Sequence, residues 1–140
     1  MGTGSMSIER FSVGQSAELT RTLSEADVMS FAQLTGDFNP VHVDDAAAAA
    51  STFGARIVHG MLTASLLSTL LAMQLPGPGA VYLNQSLSFL RPVKIGDTVI
   101  ARVEITAIDV VKQRLTLATT IRNARGKNVV SGEAVVQVPS

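Results

Sequence analysis

The sequence has no cysteine and no surplus of either charge: 11 Lys plus Arg balance 11 Asp plus Glu, and charged residues make up only 16% of its 140 positions. Without cysteine there is no disulfide framework, no thiolate nucleophile and no thiolate metal ligand, and the protein needs no oxidising compartment. The even balance excludes the basic stripe by which nucleic acid or an anionic membrane surface is usually recognised, so an anionic ligand must be met by local groups. No apolar run reaches membrane length either. The longest, roughly Met61 to Leu75, is interrupted by Thr63, Ser65, Ser68, Thr69 and Gln74 and falls short of the roughly 20 residues a spanning helix needs. A glycine-rich phosphate loop, metal-ligand spacing and a Gly-x-Ser-x-Gly nucleophile elbow are all missing. These absences describe a cytoplasmic protein with no nucleic-acid or membrane partner.

What is present is apolar: 46% of the residues are hydrophobic, enough for the core of one domain. That domain is expected over residues 7–140. Residues 1–6 have neither the basic start nor the apolar run of a signal peptide and read as a fusion scar, disordered and outside the fold. Ser24 and Asp27 form a capping-box pattern, Val28, Phe31 and Ala32 share a helical face, and Gly36 suits a C-terminal cap, so a helix is predicted from about Glu25 to Thr35. In Asp37-Phe38-Asn39-Pro40-Val41-His42 the proline disfavours helix at the residue before it, which predicts an ordered loop. Asp44 can cap a short alanine-rich helix, Asp45 to Ser51. The segment after His59-Gly60 is apolar on nearly every face, as for a helix enclosed by protein, and it stops at Pro76-Gly77-Pro78-Gly79.

From Val81 the period changes to two. Val99, Ala101, Val103, Ile105 and Ala107 share one parity, Leu115, Leu117, Thr119 and Ile121 repeat it, and Val130, Ala134, Val136 and Val138 follow after a hairpin connection at residues 124–127. One enclosed helix and four or so half-buried antiparallel strands predict an α+β fold in which a curved sheet wraps the helix. The exposed sheet edge that remains predicts a dimer.

There are only two histidines, His42 and His59. Asp37 and His42 are five positions apart on the proline-stiffened segment, close enough for a carboxylate and an imidazole to reach one water and move its protons. The same residues also suit a plain turn, with Asp37 capping it and His42 half buried. Ile57-Val58-His59-Gly60-Met61 opens the apolar helix, where free backbone N–H groups and a glycine could receive a ligand oxygen. Close helix packing by Gly60, with His59 capping or packing, explains the pattern equally well. Ser65, Ser68 and Thr69 are expected to bond back within the helix, with a ligand-facing hydroxyl as the alternative for one of them. Arg91-Pro92-Val93-Lys94 is either a solvated turn or a contact for phosphates.

Taken together, the Asp-x-Asn-Pro-x-His motif at residues 37–42, the Ile57-to-Leu62 helix start, Ser86-Leu87-Ser88-Phe89, Arg91-Pro92-Val93 and Gly96-Asp97 resemble the MaoC-like hydratases. The likeness is strongest to the single-domain (R)-specific enoyl-CoA hydratases of polyhydroxyalkanoate and fatty acid metabolism, and it spans about Phe11 to Val138. It implies a hot-dog fold, a homodimer with the site at the subunit interface, and a pantetheine tunnel. By position in the motifs, it also implies that Asp37 and His42 activate a water, that the Gly60 amide polarises a thioester carbonyl, and that Asn39, His59, Ser68 and Arg91 contact the substrate or shape its site, Asn39 by orienting the loop. Coenzyme A enters as part of the substrate, so no separate cofactor and no metal are expected. Three other readings compete. A hot-dog thioesterase would direct the water to the thioester carbon, and a non-catalytic acyl-thioester-binding subunit would keep the fold alone. An acyl-carrier-protein dehydratase would place its histidine and carboxylate on separate elements.

Overall fold

The computed structural model describes residues 7–139, so the expected scar at residues 1–6 lies outside the described residues. A 3-10 turn, Ile8–Arg10, leads to strand β1, Ser16–Thr22, then helix α1, Glu25–Thr35; the short helices α2, Pro40–Val43, and α3, Asp45–Ala49, precede the long helix α4, Gly60–Met73. Strands β2, Val81–Phe89, β3, Thr98–Asp109, β4, Arg114–Asn123, and β5, Asn128–Gln137, complete the chain.

The five strands form one antiparallel sheet in the order β1-β3-β4-β5-β2, which leaves β1 and β2 at the edges. It packs around α4, whose Thr63, Ala64, Leu66, Leu67, Leu70 and Leu71 are buried. This is the hot-dog arrangement. From the sheet, Val99, Ala101, Val103, Ile105, Leu115, Leu117, Ile121 and Ala134 are fully shielded from solvent. Each buried Leu, Ile or Val contributes about 1.5–3 kcal/mol through the hydrophobic effect, so the helix and sheet secure one another. Among the described residues no helix is long and apolar enough to cross a membrane.

Helix α1 has the predicted bounds. Ser24 accepts from the Asp27 amide, Asp27 returns the capping bond to the Ser24 amide, and Gly36 closes the helix in the left-handed region at φ 83°. Three expectations need correction. Residues 37–42 are not all loop, because Pro40 occupies the first turn of α2, where its missing N–H costs nothing and Asn39 supplies the N-cap. The alanine helix ends at Ala49 rather than Ser51; the Ser51 hydroxyl turns back to the Ala48 carbonyl at 2.6 Å. Ala107 does not continue the inward parity, since the β3–β4 register shifts between Ile105 and Ala107. The extra residue reverses the alternation, Ala107 faces out, and Ile108 packs against the core instead.

Candidate active site

The segment between α1 and α4 is fastened to the body at both ends. Ile57 N–H donates to the Val41 carbonyl at 3.0 Å and Val58 N–H to the Val93 carbonyl at 2.7 Å, which fixes the approach to α4 against the turn before β3. Arg56, its side chain only 9% exposed, donates from Nε to the His42 carbonyl at 2.7 Å and from Nη1 to Glu25 Oε1 at 2.7 Å. One buried guanidinium therefore ties α2 to α1.

Asp37 lies just beyond the left-handed turn at Gly36. Its Oδ1 accepts from the Asn39 amide at 3.1 Å, and its own amide donates to Thr35 Oγ1 at 3.2 Å. The turn-forming role is therefore real, and it leaves the second carboxylate oxygen outside that bond. Asn39 uses its side-chain oxygen to cap α2, accepting from the Val41 amide at 3.4 Å.

His42 is buried, with Nδ1 2.8 Å from the Ile57 carbonyl oxygen. A carbonyl can only accept, so Nδ1 carries hydrogen, and in the neutral ring Nε2 holds the lone pair. His59, 2% exposed, places Nε2 3.0 Å from the Asp37 backbone carbonyl and stacks its ring on His42, with centroids 4.0 Å apart and planes at 29°. Ligand-type atoms of Asp37, His42 and His59 all lie within 4.8 Å of one another. Lone pairs confined to two nearly parallel ring planes converge poorly on one ion, so the cluster suits a water molecule better than a metal.

His59 is the N-cap of α4 but makes no side-chain cap hydrogen bond. The first amides of that helix, Gly60 included, consequently have no capping side chain and carry the positive end of the helix dipole. Asp37, His42, Gly60, Met61 and Phe89 share the wall of a cavity of about 570 Å³. A second cavity of about 460 Å³ shares His42, Gly60 and Phe89 and extends past Thr63 to Arg91 and Pro92. Arg91 and Pro92 also border a depression of about 360 Å³ with Lys94 and Arg125. On the other side, Phe31 and Met61 connect the first cavity to one of about 550 Å³ lined by Ala64, Ser65, Ser68, Tyr82, Gln85 and Leu87.

Asp37, His42, His59 and Gly60 are thus together, while Ser68 and Arg91 lie farther along adjoining cavities on opposite sides. Ser65 bonds back to the Leu62 carbonyl at 2.6 Å, whereas Arg91 Nη1 donates to the Asn128 carbonyl at 2.6 Å. Arg56 and the packing of Phe89 on Gly60 leave no sign in the periodicity, because each acts through partners distant in sequence. Phe31 shows there only as part of the apolar face of α1, and the one hint of Arg56 is a charge amid apolar neighbours.

Residues 10–126 match the family described as MaoC like domain. An "(R)-specific enoyl-CoA hydratase" of Aeromonas caviae is 52% identical over 96% of this chain and 100% of its own length. A protein of the same description from Rhodospirillum rubrum is 50% identical over 91% of this chain and 88% of its own length. The solved structure described as "(R)-hydratase from A. caviae involved in PHA biosynthesis" superposes with a TM-score of 0.90 at 52% identity, covering 92% of this chain and 98% of that one. With the motif residues gathered on one cavity and the family matched across most of its length, the chain belongs to the MaoC-like family.

Proposed function

We propose that the chain is an (R)-specific enoyl-CoA hydratase that adds water reversibly to trans-2-enoyl-CoA, with Asp37 and His42 holding the water and the Gly60 amide receiving charge from the thioester oxygen. The observation that carries this reading is the common cavity wall of Asp37, His42 and the uncapped α4 N-terminus. A water donating one hydrogen to the Asp37 carboxylate and the other to His42 Nε2 has a lone pair left for C3.

Attack forms the C3–O bond and pushes the C2–C3 π electrons towards the carbonyl oxygen. Negative charge develops there, at the position the helix amides stabilise. The proton taken from the water is then returned to C2 as the carbonyl re-forms, so the pair ends in its starting protonation state. Asp37 is the principal base in this scheme, acting on the same water that His42 holds. Delivery of oxygen and hydrogen from the one side of the substrate that faces the pair gives the (R)-3-hydroxyacyl product.

The adjoining cavities suggest how the substrate runs. The pantetheine arm follows the cavity towards Arg91, whose basic neighbours Lys94 and Arg125 suit the coenzyme A phosphates. The acyl chain takes the opposite way, past Met61 towards Ser68. Edge strand β2 exposes Val81, Tyr82 and Leu83 at 41–53%, which supports the homodimer expected from the uncovered edge.

Purified protein given crotonyl-CoA should remove the enoyl ultraviolet absorbance without releasing thiol, and chiral analysis should return (R)-3-hydroxybutyryl-CoA. Free thiol would make the protein a thioesterase, and binding without turnover would make it an acyl-thioester-binding subunit.

A further inference from the structure

We propose that His59 is a positioning residue, a buried ring that sets Asp37 and His42 in their mutual geometry without exchanging a proton during turnover. The proposal rests on the reading of Asp37 and His42 as the water-holding pair. One ring touches both: its Nε2 is 3.0 Å from the Asp37 carbonyl oxygen, and its centroid lies 4.0 Å from that of His42 in a stacked arrangement. Phe31 packs against it as well, with centroids 4.8 Å apart.

The hydrogen-bond chemistry fixes the tautomer. Nε2 faces a carbonyl and must donate, so in the neutral ring Nδ1, which is buried with no partner among the described residues, is the lone-pair nitrogen. His42 is arranged the other way, donating from Nδ1 to Ile57 and presenting Nε2. Two stacked imidazoles of opposite tautomer then divide the work: His42 offers a nitrogen to the reaction, and His59 offers neither.

Asp37 needs such a tether because it belongs to neither α1 nor α2. Its carboxylate is placed by the Asn39 amide, its own backbone amide by the Thr35 hydroxyl, and its carbonyl by His59. Loss of the last bond frees the carboxylate to drift relative to His42, and misplacement by about 1 Å can cost about 10²-fold in rate.

The test is steady-state hydration of crotonyl-CoA by His59→Phe, which keeps a ring against His42 and removes the N–H donor. Turnover should fall about 10- to 100-fold with KM nearly unchanged, and His59→Gln, whose amide can still donate, should recover part of the loss. In an Asp37→Asn background His59→Phe should add little, because its effect passes through Asp37. Unchanged turnover, a rise in KM alone, or a full multiplicative loss in the double variant would each overturn the proposal. Should His59→Phe not fold, long-range imidazole 15N–1H spectra of the unaltered protein decide: His59 as the Nε2–H tautomer beside His42 as Nδ1–H supports it, and His59 as Nδ1–H sinks it. If Asp37→Asn itself leaves hydration intact, the functional reading fails as well; if only His59→Phe is silent, the positioning role fails alone.

Discussion

A methyl group built on Gly60 would lie 2.8 Å from Cε1 of Phe89. The first residue of α4 and the last of β2 are therefore fitted against each other in the wall of the cavity that Asp37 and His42 also line. Phe89 is half exposed and can swing away, so Gly60→Ala should fold normally, helped by the better helix propensity of alanine. The displaced ring would then alter the approach to the α4 amides. We expect kcat/KM for crotonyl-CoA to fall about tenfold or more, as when one oxyanion donor is lost or misaligned, with Phe89→Ala restoring part of it in the double variant. Unchanged kinetics would remove Gly60 from the site.

Asp37→Asn keeps an oxygen for the turn bond to the Asn39 amide and loses the proposed base. Turnover should drop about 10²–10⁴-fold with little change in KM. On the proposed shared water, adding His42→Gln should cost much less than the product of the two single losses. Steady-state kinetics of the three variants measure this, and independent multiplicative losses would contradict a shared water.

Arg56→Met removes the bond to the His42 carbonyl and the ion pair to Glu25 while filling similar volume. A hydrogen bond to a charged group is worth about 1.5–3 kcal/mol. Urea unfolding should show a loss of that order, accompanied by reduced turnover as α2 loosens. Stability equal to that of the parent protein would show that α2 is held by its backbone bonds alone.

The Asp27 carboxyl is held below its ordinary value chiefly by the backbone N–H of Ser24 in the α1 capping box, against a smaller opposing effect of burial, with the Ser24 hydroxyl and Arg21 also lowering it. A group depressed on folding stabilises above its unfolded value, and that contribution disappears as pH falls through the folded value. Asp27→Asn should therefore destabilise the protein near neutral pH, within the about 0.5–2 kcal/mol typical of caps. The difference should shrink on acidification below the ordinary carboxylate range. Urea midpoints for both proteins at pH 7 and pH 3 would check it; a gap that widens in acid would reverse the sign of the argument.

Local rules read α1 from the sequence because both its caps are side-chain or backbone chemistry within the same dozen residues. The inward parity of β3 and β4 was equally visible up to Ile105, where a bulge that leaves no mark in the pattern reverses it. Strand β1 is faint in the sequence because its alternation has only Ala17 and Leu19 as apolar members. The scarcity of histidine, together with the family motifs, singled out Asp37, His42, His59 and Gly60. The contacts that make them a cavity were illegible: Arg56 reaches back 31 positions to Glu25, and Phe89 forward of Gly60 from the far edge of the sheet.

Asp37, His42, His59 and Gly60 all come from the stretch that runs from the end of α1 to the first residue of α4, and among the described residues no sheet strand supplies a His, Cys, Asp or Glu to that cluster. On the proposed reading, the acyl path draws on β2 and the middle of α4, while the proton chemistry stays with the connection that leads into α4. Substitutions at Tyr82, Gln85 and Ser68 would then change which acyl groups are accepted without touching Asp37 or His42.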